Sequence, residues 1–153
     1  MARNIDLSVT TSSTPKRADS LLAAQGAAAL LVAAAGGIHL YLWFDYFHRV
    51  HVVGTLFLVN AGAGLAIGAA LLASRNFFVV LLAGGYAIGT LVGFLISTHW
   101  GLFGYRETFW GTWQEAAGGV ELAAALLAAR LLASFRQPVT RLERREDLHG
   151  QSR

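Results

Sequence analysis

The side chains of this sequence that could do chemistry are few, and most of them sit among long apolar runs. They are His39, His48, His51 and His99, with Asn60, Arg106, Glu107, Glu115 and Glu121. The chain has no cysteine, which excludes disulfides, thiolate metal sites, CxxC redox pairs and covalent c-type haem. Three chemistries suit the rest. His39 and His99 could be the axial ligands of one b-type haem, walled by Trp43, Phe44, Trp100 and Phe103. The same two histidines could equally bond at an interface with no cofactor, since they have no family-specific spacing. His48 and His51, three residues apart on one helical face, could join His99 or Glu107 around copper or zinc, although no third ligand is fixed by spacing. Asn60, Glu121 and His39 could form a polar relay or a pocket for a quinone or lipid headgroup, because ionisable groups inside a membrane tend to be functional.

The elements that must position these residues are read from the runs between them. With 55% hydrophobic and 14% charged residues and a mean hydropathy of +0.50, the chain lies outside the soluble globular class. Four stretches, about 21–44, 52–74, 77–98 and 112–134, are long and apolar enough to cross a bilayer, which needs roughly 20 such residues. The expected fold is all-α, a polytopic membrane four-helix bundle over 21–135. Polar tails at 1–20 and 136–153 flank it, the first expected to be disordered. A signal peptide ending near Ala33 to Ala35 is the rival for the first span, but the apolar run continues through Ile38, Leu40, Leu42 and Trp43.

Sides follow from the cations. Arg3, Lys16, Arg17, Arg75 and six arginines from Arg130 onward fall in the tails, the fourth span's end or the 74–76 turn, and only Arg49 and Arg106 fall in the other two connections. Cations are retained on the cytoplasmic face, so both termini are expected there, in a bacterial inner membrane, with the aromatic connections outside. Those connections hold Trp100, Tyr105, Trp110 and Trp113 beside Arg106, Glu107 and Glu115. They read first as an interfacial belt and second as a face for a partner or ligand. The segment holding GLFGYRE is longer than two adjacent helices need, and could fold back as a lid.

Association of helices in lipid relies on close approach through small residues. Such residues recur every fourth position at Ala29, Ala33 and Gly37, at Asn60, Gly64 and Gly68, at Gly85, Gly89, Gly93, Ser97 and Gly101, and at Gly111, Glu115, Gly119 and Ala123. The third stripe is the most regular and is expected to be a packing face. Glu121, as a carboxylate near mid-membrane, should point into the bundle and be protonated or paired.

GIHLYLW at 37–43, VGTLFLVNAGAG at 53–64, GTLVGFLIS at 89–97 and GLFGYRE at 101–107 together resemble an uncharacterised family of small four-span integral membrane proteins of actinobacteria. The resemblance implies the architecture and carries over no activity, cofactor or catalytic residue. FHRVHVV at 47–53 departs from the family pattern, which counts against His48 and His51 as a shared site and leaves His39, Asn60, Arg106, Glu107 and Glu121.

The sequence has no nucleophile elbow, phosphate loop or HExxH. The reading is therefore a non-enzymatic accessory or binding membrane protein that acts through its outer aromatic and charged loops. It would self-associate or join a larger membrane complex, and its charge pattern points to the bilayer and not to nucleic acid. The alternative is a haem b or quinone redox protein.

Overall fold

A computed structural model of the chain describes residues 14–108 and 111–136. They form four α-helices, α1 (Thr14–Asp45), α2 (His51–Ala73), α3 (Phe77–His99) and α4 (Thr112–Phe135), with a short 3-10 turn at Phe47–Arg49. All four are long and apolar enough to cross a membrane, which makes this a multi-pass integral membrane protein. Their outward faces fit lipid. Leu30, Val59, Leu72, Phe78, Leu82 and Leu126 are each at least 60% exposed.

Helix α1 begins earlier than the span expected at residue 21. Residues 16–25 contain neither Gly nor Pro, so nothing in them stops a helix, and residues 14–20 belong to α1 and not to a disordered tail. The helix is 32 residues long, about 48 Å at 1.5 Å per residue, so its first turns project beyond a hydrocarbon core of about 30 Å. Lys16 and Arg17 lie on that projection and are exposed. The charged segment 137–153, His149, Phe109 and Trp110 lie outside the described residues.

The helices alternate in direction around a square in the order α1, α2, α3, α4. Three sides are closed and one is loose: α1 packs on α2 and on α4, α3 packs on α4, and α2 meets α3 least. The tightest side is α1 on α2. A Cβ on Gly36 would lie 2.9 Å from the Ala61 carbonyl oxygen, and one on Gly64 would lie 2.8 Å from the Gly36 Cα. A Cβ on Gly68 would lie 2.9 Å from the Ala29 carbonyl oxygen. These contacts are backbone against backbone, so no side chain can move aside to admit a larger residue. Gly37 does not take part, since a Cβ there would meet nothing within 4 Å. The close approach falls one residue earlier, on Gly36.

The two ends of the bundle differ. At the turn end, residues 74–76 join α2 to α3, with the Asn76 side chain accepting from the Phe78 amide at 2.8 Å. Here Ala24, Ala28, Ala29, Val32, Leu71, Val80, Ala83, Ala87, Ala124, Ala128 and Leu131 form one buried cluster. Gln25 bonds across it, its Nε2 donating to the Leu71 carbonyl at 2.6 Å. At the loop end, a smaller cluster of Leu42, Phe47 and Val53 covers only the α1 and α2 side, against Phe57 and Tyr105.

Candidate functional site

The space left by that partial packing is a cavity of about 370 Å³ in the loop half of the bundle, lined by all four helices and the α3–α4 connection. Its size is near the lower end of small-molecule pockets, roughly 300 to 1,000 Å³. Gly85, Gly89, Gly93 and Ser97 of α3 form one wall. The expected packing role of this stripe is thus corrected. A Cβ on Gly85, Gly89 or Gly93 would meet no heavy atom within 4 Å, so the glycines widen a space here and do not close a helix pair. Leu56 and Val59 of α2 line the opposite lip and are 40% and 62% exposed. Between these lips, where α2 and α3 part, the cavity opens sideways toward lipid.

At its base two polar side chains meet. His39 of α1 and Glu121 of α4 are 8% and 3% exposed, with His39 Nε2 3.8 Å from Glu121 Oε1. The His39 Nδ1 lies 2.9 Å from the Ala35 carbonyl, an acceptor only, so Nδ1 carries a proton. Neutral His39 therefore turns the lone pair of Nε2 toward Glu121. Two bare acceptors facing each other in an apolar interior are unfavourable, so the pair holds one further proton, on the imidazole or on the carboxyl. A lone carboxylate at mid-membrane would cost about 3 kcal/mol on insertion scales. The Thr90 hydroxyl lies beside the Glu121 carboxyl. It is also 3.0 Å from the carbonyls of Tyr86 and Ala87. Phe57 packs on the His39 ring at 5.1 Å between centroids, and Tyr86 donates to the Asn60 carbonyl at 3.2 Å.

The α3–α4 connection folds back as a lid. Leu102 and Tyr105 exchange backbone hydrogen bonds of 2.6 and 2.9 Å around Phe103 and Gly104. With φ of 52° and 80° these two central residues make a type I′ turn. Glycine suits such a turn, whereas a bulky residue in left-handed conformation is strained by roughly 1 to 3 kcal/mol. The hairpin is tied to the last turn of α3: Arg106 Nε donates to the Thr98 carbonyl and the Glu107 amide to the Ser97 carbonyl, both at 3.2 Å. Tyr105 then sits edge-on to Phe47, 5.6 Å between centroids, and Phe47 stacks on Phe57 at 3.9 Å. The Tyr105 hydroxyl donates to Glu107 at 3.3 Å. Burial first, then the Glu107 carboxylate, pushes this phenol above its ordinary range.

Of the residues singled out by sequence, the fold brings His39, Asn60, Tyr105, Glu107 and Glu121 to this one cavity. It does not bring His99 there. That residue is exposed at the end of α3, with Nδ1 3.0 Å from the Leu95 carbonyl, so His39 and His99 do not face each other across the cavity as haem ligands would. Trp100 is 79% exposed, and Arg106 and Glu115 lie on the outside of the loop end. His48 has both ring nitrogens engaged: Arg49 Nε donates to its Nε2 at 3.2 Å, leaving Nδ1 to donate to the Trp43 carbonyl at 3.0 Å. No lone pair is left for copper or zinc. Among the described residues no three His, Cys, Asp or Glu side chains gather into a metal-binding group. Tyr86, Thr90 and Gln114 also line the cavity and were not singled out. A signal was present in α3, where Tyr86 and Thr90 are polar interruptions that each follow a glycine of the stripe by one residue. No family model, curated protein or solved structure matches the chain.

Proposed function

We propose that this protein binds a small amphiphile taken from the bilayer, and that it acts as a binding or accessory protein and not through a catalytic centre of its own. The observation that carries this reading is the pairing of a sideways opening with a buried polar base. An apolar tail can enter between α2 and α3 without crossing water, while a polar head reaches His39 and Glu121. Amide groups of Asn60 and Gln114 and the hydroxyls of Thr90 and Ser97 supply neutral hydrogen-bonding capacity around that head. On the distribution of cations the turn end is cytoplasmic and the lid faces outward. Trp100 and the exposed Phe103 then anchor the loop end at the interface, next to any partner complex.

The test is to purify the protein in mild detergent, identify co-purifying small molecules by native mass spectrometry, and repeat with Gly89→Trp. The wild type is expected to retain a lipid-soluble ligand that the variant loses while keeping its helical content and elution volume. Equal retention by both would refute the cavity as the binding site.

A further inference from the structure

The charge pattern of the lining narrows the ligand class. Among the described lining residues there is no Lys or Arg, whereas two carboxyls are present, Glu121 at the base and Glu107 nearer the lid. A phosphate or carboxylate head would therefore enter with no cation to pair with, beside groups of its own sign. Five aromatic rings share the remaining lining with aliphatic side chains and glycines, those of Phe47, Phe57, Tyr86, Phe94 and Tyr105, and aromatic ring faces attract positive charge.

Resting on the reading above, we propose that the amphiphile is a lipophilic monocation, an amine or quaternary ammonium type, held by the His39–Glu121 pair in exchange for one proton. With that one further proton, on either partner, the pair is neutral overall, whether as imidazole and carboxylic acid or as imidazolium and carboxylate. Removing that proton leaves imidazole and carboxylate, a net charge of minus one, which a monocation restores to neutrality. The balance is an O–H or N–H bond broken at the pair, the proton released to water, and an ion pair formed with Glu121. No electrons move. The titratable groups facing the cavity are His39 from α1, Tyr86 from α3, Glu121 from α4, and Tyr105 and Glu107 from the lid, while α2 contributes none. The proton leaves toward the loop end, past Ser97 and Glu107, because the apolar cluster fills the turn end.

The experiment uses the full chain in phosphatidylcholine nanodiscs, with empty nanodiscs as the blank. Tetraphenylphosphonium binding is followed by calorimetry from pH 6 to 9 in two buffers of different ionisation enthalpy. The expected result is saturable binding with about one proton released per probe, and affinity that tightens by up to about tenfold per pH unit while the pair still holds its proton. Glu121→Gln is expected to weaken binding at least about 30-fold and to abolish proton release, and Glu121→Asp to keep the release. Binding without proton release in the wild type, or unchanged binding and release in Glu121→Gln, would overturn the exchange. Should Glu121→Gln fail to fold, the wild-type proton count and the aspartate variant decide the matter alone. A neutral probe, 2-methyl-1,4-naphthoquinone, separates the two proposals. Saturable binding of the quinone with none of the cation would overturn the inference and leave the amphiphile reading standing, and binding of neither would overturn both.

Discussion

The turn half and the loop half of this bundle are built from the same four helices yet hold together by opposite means. In the turn half, alanines, two valines and two leucines form one buried cluster that brings the helices into contact, and Leu71 and Leu131 are fully buried. In the loop half, large aromatic rings stand where alanines stood, the helices spread, and space remains between them. The difference shows what small residues do here. Glycine draws helices together only where the facing helix also offers backbone, as Gly36 does to Gly64. Where the facing side is a row of aromatic and branched side chains, as along α2 from Val53 to Val59, the glycines of α3 leave room.

Four measurements would break or sharpen this contrast. The largest effect is expected from Gly36→Leu and Gly64→Leu, which force backbones apart and should lower stability by about 3 kcal/mol or more, seen as loss of folded protein in detergent gel filtration. Gly89→Leu and Gly93→Leu should elute as wild type, and loss of all four variants alike would erase the distinction between the two glycine sets. Next, Leu71→Ala and Leu131→Ala should cost about 2 to 5 kcal/mol in reversible unfolding, against under about 1 for Leu56→Ala, which already borders open space. Gly54→Ala should cost about 1 to 3 kcal/mol, because its Cβ would overlap the Phe47 carbonyl and unseat the 3-10 turn. An unchanged melting temperature would show that the turn relaxes freely. The smallest effect is a gain: Phe103→Gly should relieve the left-handed conformation and slow amide exchange at Leu102 and Tyr105, for a change of about 1 kcal/mol.

Much of the fold was legible in the sequence because the bilayer imposes a length rule that four apolar runs obey. The orientation of Glu121 was legible for the same reason, since a carboxylate in mid-membrane has few tolerable directions. The lid was legible from the length of the connection. What periodicity could not supply was the identity of the facing surface. It placed Gly85, Gly89 and Gly93 on one side of α3 correctly but could not say that this side looks into a cavity. It also pointed to Gly37 where the contact uses Gly36, because a stripe of alanines and glycines fits either register. His39 and Glu121 were each visible as deep polar residues, but their meeting depends on how α1 and α4 are staggered, which no spacing within one helix encodes. His99 resembled a partner for His39 only by depth. Its helix turns it outward.

The hairpin at residues 102–105 is fastened to α3 through the carbonyls of Ser97 and Thr98, while Tyr105 holds it to the α1–α2 side through ring contacts with Phe47 and Tyr46 and a side-chain hydrogen bond with Tyr46. Roof and α3 wall are therefore tied together as one piece. Any displacement of α3 from α2 would therefore also draw the roof away from Phe47 and Tyr46, so that the chamber would vent to lipid and to water together.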